Sequence, residues 1–78
     1  MNNQQPYRMV IRHSIIGLPS GATYQLRFDQ IGDVFPPGMI ANDIHPNALA
    51  DLHAFAEDVG CTVTKADELK AFVFRKRS

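Results

Sequence analysis

Tyr7-Arg8-Met9-Val10-Ile11-Arg12-His13-Ser14-Ile15-Ile16 is the stretch on which the fold turns. It is rich in β-branched and bulky residues, the composition of a strand. Alternation puts Met9, Ile11, His13 and Ile15 on one face and Arg8, Val10, Arg12 and Ser14 on the other. The reading is therefore a strand over residues 7–16, with His13 as a neutral, hydrogen-bonded core histidine.

Gly17-Leu18-Pro19-Ser20-Gly21 carries the punctuation of a turn. A second strand is expected over residues 23–31, where Tyr24, Leu26 and Phe28 alternate with Gln25, Arg27 and Asp29. These two strands make a hairpin. Residues 32–44 form a connection longer than usual, stiffened by Pro36-Pro37-Gly38 and containing Val34, Phe35, Met39 and Ile40. It reads as a loop folded over one end of the core. The sharper alternative is a binding loop with Phe35 and Met39 as apolar anchors.

Residues 46–59 read as an amphipathic helix, because Ala48, Leu49, Leu52, Phe55, Ala56 and Val59 share one arc. Pro46 suits the first helical position, His45 the N-cap and Gly60 a left-handed C-terminal cap. His53 is positioned to pair with Glu57 one turn on. Residues 61–64 and 69–76 read as two further strands joined by a polar turn. A helical turn over residues 65–71 is the alternative. The expected fold is thus α+β, in the order β-β-α-β-β: a four-stranded, mainly antiparallel sheet with one helix packed on one face.

The 78 residues allow one domain, 7–78, behind a flexible tail at 1–6. A chain this short has a thin core, and its lone cysteine, Cys61, permits no internal disulfide. With neither a signal-peptide pattern nor an apolar run of spanning length, the expected location is cytoplasmic, with no membrane partner.

Net charge is zero, yet the charges are segregated. Residues 1–28 hold Arg8, Arg12 and Arg27 and no acid; residues 29–68 hold all eight acids and only Lys65; residues 69–78 hold Lys70, Arg75, Lys76 and Arg77. On the expected fold, Arg8, Arg12, Arg27, Arg75 and Arg77 populate the sheet face that the single helix leaves bare. Such a surface attracts anionic partners. The last strand can turn either way. With Phe72 and Phe74 inward they are packing residues. With Leu69, Ala71 and Val73 inward, Lys70, Phe72, Phe74 and Lys76 form a basic stripe interleaved with aromatics, as single-stranded nucleic-acid binders use.

Catalytic chemistry has little support. The adjacent carboxylates Glu57-Asp58 and Asp67-Glu68 read as solvent-facing, whereas acid–base work needs a shifted carboxyl in a cleft. Cys61 reads as a small buried hydrophobe, and Asp43, His45 and His53 match no compact metal motif. Neither enzyme, metal nor cofactor is expected. The expectation is a small stand-alone interaction module, a regulator or inhibitor that binds a larger protein or nucleoprotein partner through charged surfaces. Its size suits the accessory proteins of phages and other mobile elements. The alternatives are a single-stranded nucleic-acid binder and a homodimer. The surfaces expected to meet the partner of the module are the arginine-bearing sheet face and the acidic face of the helix, flat at Ala50 and Ala54; the dimer would set the basic sheet of one copy against the acidic helix of another, or would join edge strands.

Overall fold

Residues 7–16 are helical, and the expected four-stranded sheet with one helix is corrected accordingly. The computed structural model describes residues 5–41 and 43–77. They form helix α1 (Gln5–Ile16), strand β1 (Thr23–Arg27), helix α2 (Phe28–Val34), strands β2 (Met39–Ile40) and β3 (Asp43–Ile44), helix α3 (Pro46–Asp58), strand β4 (Cys61–Ala66), a 3₁₀ turn (Asp67–Leu69) and strand β5 (Ala71–Lys76). The fold remains α+β and mainly antiparallel. The tail expected at 1–6 falls outside the described residues up to position 4, and Gln5 and Pro6 open α1.

The signals that bound α3 also bound α1. Pro6 lies in its first turn, where a missing N–H costs nothing. Gly17 and Pro19 follow its end. Ile11 and Ile15, four apart, enter the core. Packing has overridden the strand preference of the β-branched residues. The second expected strand is also shorter than the alternation implied: it stops at Arg27, and Phe28 begins α2. Gln30 Oε1 accepts the Arg27 backbone N–H at 3.1 Å, satisfying a donor at the helix entrance.

β5 is the central strand of a three-stranded antiparallel sheet ordered β1-β5-β4. Tyr24 and Leu26 oppose Phe74 and Phe72, while Val63 opposes Phe74 and Lys65 opposes Phe72. Period-two alternation therefore puts Tyr24, Leu26, Val63, Lys65, Phe72, Phe74 and Lys76 on one face. All three helices pack against that face, since Ile11, Ile15, Ile31, Val34, Leu52, Phe55, Phe72 and Phe74 belong to one buried cluster. The other face carries Thr23, Gln25, Arg27, Thr62, Thr64 and Arg75, all exposed. Rings connect the layers: Phe35 to Phe55 at 5.4 Å and Phe55 to Phe74 at 6.0 Å, both edge-on.

Residues 32–44 are more ordered than a covering loop. β2 and β3 pair as a small hairpin, Met39 opposite Ile44. The turn folds back onto α2 with Gly38 against Gly32, and His45 N–H donates to Gly38 O at 2.9 Å at the base of the hairpin. α3 follows its expected signals: His45 Nδ1 accepts the Asn47 N–H at 3.1 Å, and Gly60 has φ +74° at the other end. No helix among the described residues is long and apolar enough to cross a membrane.

Gly38 has φ +79°, and an added Cβ would lie 2.6 Å from Gly32 Cα, backbone that cannot swing aside. Gly38→Ala is expected to destabilise the protein by more than about 1 kcal/mol, read as a lower urea midpoint. Gly21→Ala, equally positive in φ but with open space around it, is expected to cost less.

Candidate interaction surface

α1 is held in place by two cations as well as by its apolar side. The last carbonyls of a helix lack partners and carry a partial negative charge. Lys76 reaches from β5 to the end of α1, where its Nζ donates to Ile16 O at 2.9 Å, Leu18 O at 3.3 Å and Ile15 O at 3.4 Å. From α1, Arg8 donates through Nη2 (2.6 Å) and Nε (3.2 Å) to Val34 O, the end of α2. The Arg8 guanidinium also lies 4.8 Å from the centre of the buried Phe35 ring.

The exposed surface of α1 carries large apolar side chains on both flanks of its buried stripe, Met9 and Ile16 toward the side of Arg12, Tyr7 and Val10 on the other, with His13 exposed between them. Tyr7, Met9, Val10 and Ile16 are 58%, 55%, 64% and 46% exposed, leaving only Ile40 and Leu69 as other large exposed hydrophobics among the described residues. Beside this surface a groove of about 340 Å³ runs between α1 and α3. Met9, Ala54 and Phe55 supply its apolar floor, Arg8 and Arg12 one rim, and Asp51 and Asp58 the other. Arg12 and Asp58 meet across it at 3.1 Å.

The arginine-bearing sheet face is corrected. Arg8 and Arg12 lie on α1, on the opposite side of the molecule from the bare sheet face. Arg27 and Arg75 do lie on that face, each engaged: Arg27 donates to both Asp29 carboxylate oxygens at 3.2 and 3.3 Å, and Arg75 Nη1 to Gly21 O at 3.2 Å. Arg77 lies beyond β5 and pairs with Glu57 at 3.8 Å. That contact replaces the expected His53–Glu57 pair.

The loop anchors are corrected as well. Phe35 is fully buried and Met39 is packed against the core, so both are structural; Ile40 at the hairpin is exposed instead. The aromatic stripe fails on register. Phe72 and Phe74 are 3% and 0% exposed on the helix-covered face, and Lys76 on that face is bound to carbonyls. Only Lys70 of the four points freely to solvent; among the described residues it forms no ion pair. His13, expected in the core, is exposed on α1.

Cys61 is buried, and desolvation raises its thiol pKa, outweighing the lowering by Lys76 and Arg77. The thiol is thus protonated at neutral pH and a poor nucleophile. Iodoacetamide is expected to label it slowly in the native protein and fully in urea; equal rates in the two states would contradict its burial.

Together these features define a two-layer α+β protein with one bare sheet face and an apolar helical surface. No protein-family model matches the chain, and no curated protein or solved structure does either.

The surface residues missed in sequence are Tyr7, Met9, Val10 and Ile16; Asp51 and Ala54 were expected on the outward acidic face of the helix, but not as parts of one groove with Met9 and Phe55. One signal was present: between Pro6 and Gly17, Ile11 and Ile15 share one helical face, and Tyr7 with Val10 and Met9 with Ile16 extend apolar residues to either side of it, interrupted by the Arg8–Arg12 stripe. That pattern fits a helix covered on more than one side.

Lys76→Met is expected to lower stability by about 1–2 kcal/mol, as it removes the cation from the end of α1. Arg75→Met, which breaks one exposed contact, is expected to change it by under about 0.5 kcal/mol. Urea unfolding measures both, and equal effects would refute the helix-end role of Lys76.

Proposed function

We propose that this chain is a non-catalytic interaction module that docks on a protein partner through the outer side of α1 and the adjoining α1–α3 groove. One observation carries the reading. Four of the six large exposed hydrophobics among the described residues lie on one 12-residue helix. Scattered single hydrophobics are ordinary on a protein surface, but a concentrated set marks a contact site. The groove beside them offers an apolar floor within a charged rim, the composition of an interface centre and its border.

A module of this kind acts by occupying a partner's surface, as a regulator or inhibitor does. The chemistry of the surface argues for apolar docking with charge as a guide to orientation, in place of a purely cationic face. The single-stranded nucleic-acid reading has lost its stacking rings to the core.

Affinity capture with the wild type and with Met9→Glu tests the proposal. Met9 lines the groove and is 55% exposed, so the substitution leaves the core intact; circular dichroism checks this. The expected result is loss of the captured proteins with Met9→Glu and their retention with Leu69→Glu, a control at a 51% exposed site remote in sequence. Capture of the same proteins by both variants would remove α1 from the interface.

A further inference from the structure

We propose that His45 makes the start of α3 an acid-sensitive latch, closed while its imidazole is neutral and opened when the ring takes up a proton. The geometry of the cap carries the inference. A helix begins with backbone N–H groups that have no partner inside it. In α3 the first position, Pro46, has no N–H, and Leu49 N–H donates to His45 O at 2.9 Å. Between them, Asn47 N–H donates to His45 Nδ1 at 3.1 Å. A nitrogen that accepts must keep its lone pair, so the cap uses the neutral ring with its proton on Nε2. The imidazolium has no lone pair on either nitrogen, and no rotation of the ring restores an acceptor. Ser, Thr, Asn and Asp, the common occupants of this position, accept without gaining positive charge. A histidine there is the exception, because its acceptor disappears in weak acid. The same residue holds the chain that enters the helix, since His45 N–H donates to Gly38 O at 2.9 Å.

The charges around the cap act in the same direction. A helix start carries partial positive charge and repels a cation placed there. α3 has no acid in its first turn to offset this; its first, Asp51, comes later. Asp43 on β3 is the nearest carboxylate in sequence, and it is engaged. Its Oδ1 accepts the Ile44 N–H at 2.9 Å and lies 3.7 Å from Lys65 Nζ on β4. α2, packed on the hairpin, adds Asp29, held by Arg27, and Asp33. None of these carboxylates forms an ion pair with the His45 ring among the described residues. Free histidine takes up its proton near pH ~6.5, so the latch is closed at neutral pH and opens in the weakly acidic range. The other histidines respond differently. His13 lies in the last turn of α1, where a positive charge is favoured, and His53 lies exposed within α3. The contribution of His45 is therefore isolated by comparison with a cap that does not titrate.

Urea unfolding of the full chain at about pH 7.5 and about pH 5.5 tests this, with the wild type beside His45→Asn, whose amide accepts at both values. His13 and His53 are common to the two proteins and cancel in the comparison. The expected result is an unfolding constant that rises on acidification about fivefold more in the wild type than in His45→Asn. Hydrogen exchange of the Asn47 amide in the wild type, corrected for the intrinsic pH dependence of exchange, gives a second reading that needs no variant. Its protection is expected to fall by about the same factor at the lower pH, relative to the Val59 amide at the other end of α3. The same acid response in both proteins overturns the inference, as does Asn47 protection that holds steady between the two pH values. Should His45→Asn fail to fold, the exchange measurement alone decides.

Discussion

The end of α1 is the constraint on which the rest of the structure depends. A helix of 12 residues with few strong helix formers is marginal alone. Its C-terminal carbonyls must find donors in a part-buried place. Lys76 supplies them, from the last residue of the central strand. The ammonium thereby ties the end of α1 to the end of the central strand, Ile16 to Lys76. Arg8 repeats the device in the other direction, fixing α1 to the end of α2. With α1 secured, Ile11 and Ile15 close the core over Leu26, Phe72 and Phe74.

These contacts explain which parts of the fold were legible in the sequence. α3 was readable because everything needed to form it is local: Pro46, His45 at the N-cap, Gly60, and one apolar arc facing one core. The β4–β5 hairpin was readable for the same reason, with the 3₁₀ turn at Asp67–Leu69 combining both expected alternatives. Residues 7–16 were not, because two demands fall on the same residues. One side of α1 fills the core and another stays apolar at the surface, so the hydrophobic pattern loses its 3.6 period and matches period two equally well. Propensity then tipped the reading toward a strand. The shortened β1 failed differently: Phe28 continues the alternation into what becomes the first turn of α2, and only the side chain of Gln30 marks the change.

The site was less legible than the fold, and the reason is electrostatic. The segregation of charge was read as a surface waiting for an anion. Paired acids and cations distant in sequence come together on folding instead: Arg12 with Asp58, Lys65 with Asp43, Arg77 with Glu57. Each exposed pair contributes little to stability. Their effect is on the field, since a cation beside its own carboxylate no longer projects its charge toward a distant partner. Segregation along the chain has become neutralisation in space.

A small domain has few cations to distribute, and their use for helix ends limits what the surface can offer. Of eight, Arg8 and Lys76 satisfy backbone carbonyls at helix termini, Arg75 satisfies a turn, and four others face carboxylates. α3 needs none of them, because Gly60 in the left-handed region lets its own N–H reach Glu57 O. α1 and α2 lack such a residue at their ends. Had Ile16 been followed by a left-handed cap, Lys76 would be free to face solvent and the sheet would carry a stronger positive field. The chain terminates those helices with side-chain charge instead, and among the described residues the exposed hydrophobic side chains of α1 are left uncommitted.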